Sequence, residues 1–126
     1  MLNRFAAACV VASVIIAAGA TGSLLWRWPT AGTRIVTTAW CFVPLAWGLW
    51  AMLAPGRWVP GRLATWGAIL GIGAGIIAGP VLDLPLRLAG VSGVRWVPLV
   101  AGPILYYFLW LLVGVAYRSL PLPNAK

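Results

Sequence analysis

The sequence predicts an all-α integral membrane protein, with four transmembrane helices forming one small bundle. Three observations predict it. The ten charged side chains are spaced so that they leave four uncharged stretches, 5–26, 35–56, 63–82 and 96–117. Each is about as long as the ~20 residues that a helix needs to cross a hydrocarbon core of ~30 Å. Finally, 63% of the 126 residues are hydrophobic, far more than the interior of so short a soluble chain could absorb. The whole chain, 1–126, reads as a single transmembrane domain with spans at about 5–26, 35–54, 63–82 and 96–117.

The first span is alanine-rich. Cys9, Ser13, Ala17 and Thr21 recur every four residues and form a small-residue ridge. Arg4 followed by an apolar run and Ala18-Gly19-Ala20 is similar to a secretory signal peptide. The apolar run exceeds a usual signal h-region, so the expectation is a retained span. Trp26 and Trp28 suit the headgroup level, Pro29 stops the helix, and a short loop is expected over 27–34.

The second span carries Trp40, Trp47 and Trp50, with Pro44 near its midpoint. A proline inside a helix removes one hydrogen bond and bends the axis, so a kink is expected. Pro55-Gly56 and Pro60-Gly61 bracket a tight loop.

The third span holds Gly67, Gly71, Gly75 and Gly79 at a strict spacing of four. Interior glycines cost a soluble helix ~1 kcal/mol each. In lipid the backbone has no alternative to helix, and the row becomes a groove that admits a neighbouring helix. The expected occupant is the small-residue ridge of the first span, closing the monomer's own bundle. Pro80 and Pro85 mark the end of the span. The loop beyond holds Asp83, the chain's single acid, which has Arg87 nearby as a possible partner.

The fourth span opens with Trp96 and Pro98, a proline suited to a first turn. Pro103 lies near mid-span and predicts a second kink, so Pro44 and Pro103 are candidate hinges. Pro103, Tyr106, Trp110, Val113 and Tyr117 follow a 3-4-3-4 spacing and share one seam. Each half of the chain is thus a small-residue helix followed by an aromatic helix with a central proline. The loops differ in length and no residue-level identity accompanies the echo, so membrane composition accounts for it.

The available chemistry is narrow. The chain has no histidine, one aspartate, no glutamate and two cysteines. That excludes an imidazole base, a carboxylate pair and a zinc or iron–sulfur cluster within one chain. Gly71-x-Gly73-x-Gly75 lies inside an apolar span and lacks a lysine, so it is no nucleotide loop. No charge falls inside a span, which removes the usual sign of a proton or ion path. Catalytic residues, cofactors and metals are therefore not expected. The formal charge of +8 is scattered singly at span ends. It points to lipid headgroups rather than nucleic acid.

Trp47, Tyr106, Tyr107 and Trp110 are the candidate ligand-facing residues, since ring faces can hold an apolar or cationic ligand. Packing is the competing role for them. With both termini on one side, that side carries Arg4, Arg57, Arg62, Arg118 and Lys126, against Arg27, Arg34, Arg87 and Arg95 on the other. The slight excess favours cytoplasmic termini in a plasma (inner) membrane. The expected function is non-enzymatic: packing as an accessory subunit beside other membrane proteins, or as a homo-oligomer. A small oligomeric transporter or channel is the alternative, and a lipid- or quinone-binding module is a third possibility.

Overall fold

The structure is a computed structural model. It describes residues 1–25, 30–84, 86, 90 and 92–120, the side chains of 24, 30–37 and 39 excepted. The regular structure among the described residues is entirely helical. It comprises α1 (Leu2–Leu25), α2 (Thr30–Leu53), α3 (Leu63–Ile76) and α4 (Val97–Ser119). A 3₁₀ turn, Gly56–Trp58, lies between α2 and α3, and α3 runs on into a π-helical turn, Ile77–Val81. Three segments are long and apolar enough to cross a membrane: Leu2–Ser23, Leu63–Val81 and Val97–Ser119. The described apolar part of α2, Trp40–Leu53, is shorter.

Two boundaries differ from expectation. Helix α2 starts at Thr30, so Arg34 lies within it rather than in a loop. Arginine is a good helix former, so its backbone preference does not oppose this start. Helix α3 gives way to the π turn because Pro80 brings no N–H and its ring crowds the carbonyl four residues back. The wider turn moves the pairing: Leu82 N–H donates to the Ile77 carbonyl at 2.9 Å, and Asp83 N–H to that of Gly79 at 2.8 Å. Asp83 ends the turn at φ 47°, a left-handed conformation that aspartate tolerates better than most residues. Pro44 and Pro103 both lie inside continuous helices. Trp26, Trp28, Pro29, Pro85, Arg87 and the tail beyond Leu120 lie outside the described residues.

The helices associate as two antiparallel pairs. In α1–α2, Arg4 Nη1 donates to the Ala54 carbonyl at 3.0 Å, and the Cys9 thiol to that of Pro44 at 3.2 Å. Farther along, Gly19 lies under the Trp40 ring. In α3–α4 the glycine row is occupied, but by α4 and not by the expected ridge of α1. Gly67 faces Trp110, Gly71 faces Gly102 and Tyr106, Gly75 faces Pro98 and Leu99, and Gly79 faces the Arg95 carbonyl.

The two rows share one spacing and the same ~40° drift per four-residue step, yet the glycine row keeps contact along its length and the α1 row does not. Cys9 reaches α2, but Ser13, Ala17 and Thr21 are exposed. The fully buried residues of α1 are Ala7, Ala8 and Ala12, and Val11 and Ile15 pack beside them partly buried.

The buried apolar side chains are mostly small or aromatic: Ala7, Ala8, Ala12, Trp47, Ala51, Ala54, Leu63, Ala64, Trp110 and Val113. The outside carries the bulky aliphatics, including Val14, Leu45, Ile72, Ile104 and Leu112, and no polar or charged side chain is buried among the described residues. A water-soluble domain arranges these classes the other way round.

Candidate functional site

The place where chemistry-bearing side chains converge is the aromatic junction between the two helix pairs. Helix α2 contributes Trp47 and Trp50, which lie three apart and near one face. Helix α3 contributes Trp66 from its first turn. Helix α4 contributes Tyr106 and Trp110, which lie four apart on the predicted seam. In both α2 and α4 the first of these rings follows a proline by three residues: Pro44-Leu-Ala-Trp47 and Pro103-Ile-Leu-Tyr106.

Trp47 is 3% exposed and Trp110 is completely buried. The Trp47 ring lies 5.4 Å from that of Tyr106 and 5.6 Å from that of Trp110, tilted by 56° and 46°. These are the offset and tilted geometries that the ring quadrupoles favour. Trp110 fits because Gly67 offers no side chain: a Cβ at Gly67 would collide with the indole. The Trp110 indole N–H has no hydrogen-bond partner in the structure. Tyr107 is separated from this group. One residue on from Tyr106, it is turned ~100° round the helix, is 40% exposed, and meets Phe108 edge-on at 5.8 Å. Of the four candidate ligand-facing residues, Trp47 therefore meets both Tyr106 and Trp110, and Tyr107 faces outward.

A second contact lies beside the first. Trp50 and Trp66 stack at 4.8 Å with an interplanar angle of 16°. Each indole N–H donates to the other residue's backbone carbonyl, Trp50 Nε1 at 3.0 Å and Trp66 Nε1 at 2.8 Å. Trp58 meets Trp66 edge-on at 5.9 Å. The stacked pair satisfies both indole donors without water, as a low-dielectric setting demands.

Three further participants escape sequence reasoning. The Trp50–Trp66 pairing joins residues 16 apart, and no local periodicity marks it. Gly48 accepts Phe5 and Cys9 so closely that a Cβ there would come within 2.6 Å of the Phe5 ring and 2.7 Å of the Cys9 sulfur. Gly102 lies against the carbonyl of Gly71, 2.6 Å from where its own Cβ would stand. A glycine beside an aromatic (Trp47-Gly48, Trp66-Gly67) was the available signal for such close approach.

Both cysteines are free, Cys9 half-buried and Cys41 exposed. Among the described residues no three potential ligands from His, Cys, Asp and Glu gather in a metal-binding group. The chemistry that the junction offers is that of ring faces and indole donors. No protein family model matches the chain, and comparison with curated proteins and with solved structures finds no match.

Proposed function

We propose that the chain is a four-span protein of the plasma (inner) membrane with cytoplasmic termini, bent at Pro44 and Pro103. In this reading it is non-enzymatic and acts through helix packing, either as an accessory subunit of a membrane complex or as a homo-oligomer. The observation that carries the reading is the outward placement of Ser13, Ala17 and Thr21, all exposed on α1. The Thr21 hydroxyl is already bonded to the Ala17 carbonyl at 2.8 Å. A small-residue helix face admits another helix at close range. Trp47, Tyr106 and Trp110 support the same reading, since they are engaged with one another.

The test is the mass of the particle purified in a mild detergent. We expect more than one chain per particle, with S13L/A17L reducing it to a single 13.4 kDa copy that keeps its helix content. The identity of the lost chain separates accessory subunit from homo-oligomer. A lone copy in the unmodified particle overturns the proposal.

One observation favours the alternative, a small oligomeric transporter or channel. The described buried apolar side chains lie in the halves of the helices nearest the termini. Pro44 and Pro103 lie one turn beyond the aromatic junction, where hinges would let one helix pair rock against the other.

A further inference from the structure

We propose that the end of the bundle carrying the termini is a recognition surface for anionic phospholipid headgroups, with Arg57 and Arg62 as its foremost contacts. The inference rests on the membrane-spanning reading above and adds a ligand class and a preferred leaflet.

Four arginines meet at this end. Arg4 is placed there by its bond to the Ala54 carbonyl at the close of α2. Arg57 lies in the Gly56–Trp58 turn, and Arg62 directly precedes α3. The α3–α4 register, with Gly79 against Arg95 and Gly67 against Trp110, brings Arg118 level with that turn when continued two helical turns further. The chain's single acid, Asp83, follows the π turn at the opposite end of α3. No aspartate or glutamate side chain of this chain therefore neutralises the arginine end.

The guanidinium groups keep donors to spare. Each has five N–H bonds. Arg4 spends one from Nη1 on Ala54, and Arg118 spends its Nε on the Gly114 carbonyl at 3.2 Å. Both bonds go to carbonyls near helix C-termini, where a cation is favoured. Arg57 and Arg62 are exposed. The Trp50–Trp66 stack and Trp58 lie beside them, and indoles settle at headgroup depth. Rings thus hold the turn at the level of the phosphates, and guanidinium groups pair with phosphate oxygens in a fork geometry. Arg95 at the other end is differently engaged: its Nη2 donates to the Pro80 carbonyl at 3.1 Å, and its guanidinium lies 5.5 Å from the Trp96 ring centre.

The experiment is a lipid titration of the intact chain in mild detergent, read by native mass spectrometry. Phosphatidylglycerol is compared with phosphatidylcholine of the same acyl chains. We expect phosphatidylglycerol to bind at least about tenfold more tightly. R57Q/R62Q should lower its affinity about tenfold, to near that of phosphatidylcholine, whose binding stays as it was. R95Q should retain the preference. Equal binding of the two lipids, or a loss in R95Q as large as that in R57Q/R62Q, overturns the proposal. Carbonate washing of membranes separates the two levels. A chain washed off overturns the spanning reading and this proposal with it, while a retained chain without lipid preference overturns this proposal alone.

Discussion

In the α3–α4 pair the backbones themselves touch, whereas in the α1–α2 pair side chains stand between them. Gly71 meets the Gly102 carbonyl, and Gly75 meets the Pro98 carbonyl and the Leu99 Cα. Across the other pair, Gly48 meets the Phe5 ring and the Cys9 sulfur, and Gly19 meets the Trp40 ring. A glycine against backbone cannot grow a side chain without moving a helix. A glycine against a flexible side chain needs only a rotamer to yield. The same residue type therefore sets hard distances in one pair and adjustable ones in the other.

Substitutions at three glycines test this contrast. The largest effect is expected at Gly71→Leu, whose new side chain would enter the Gly102 carbonyl and Tyr106 Cβ. We expect a loss of about 3 kcal/mol or more, measured as a shift in the unfolding midpoint in mixed micelles followed by tryptophan fluorescence. An unchanged midpoint would break the comparison at its strongest point. Gly48→Ala is expected to cost less, about 1 kcal/mol, because the Phe5 ring and Cys9 thiol can swing aside. If it cost as much as Gly71→Leu, the α1–α2 pair would be as rigid as its neighbour. Gly73 lies in the same helix, two residues from Gly71, but is exposed with nothing within 4 Å of a Cβ. Gly73→Ala should therefore leave the midpoint within about 0.5 kcal/mol, read by the same assay. A larger destabilisation there would show that the helix depends on glycine for more than contact.

The contrast also marks what the sequence could disclose. Three of the four expected apolar spans were legible because charges interrupt the chain at membrane-sized intervals. The close-packing face of α3 was legible too, since four glycines at one spacing leave a groove in any environment. Its occupant was not legible. A row of small residues states how near a neighbour can come and is silent on which helix comes. On α1 the equivalent row was misleading: Cys9 lies on the α2 side while Ser13, Ala17 and Thr21 are exposed, although the same spacing keeps Gly67, Gly71 and Gly75 against α4. The aromatic seam of α4 was visible as a 3-4-3-4 pattern, but its meeting with Trp47 depends on how two helix pairs dock. The mutual Trp50–Trp66 bonds are entirely tertiary, since each needs the other helix's carbonyl in place.

The exposed aliphatic shell over a glycine-, alanine- and indole-filled interior carries a consequence for where this fold exists. In water, aliphatic side chains seek the inside, and the inside of this bundle holds helices too close together to receive them. Dissolved in water, the chain would have every reason to invert. Hydrocarbon removes that incentive, because leucine and valine are as well accommodated by lipid tails as by protein. What remains to choose among arrangements is how closely the helices can fit. The bilayer thus acts as a solvent in which fit outranks hydrophobicity, and in that solvent a thirteen-kilodalton chain holds its shape with few aliphatic side chains at its centre.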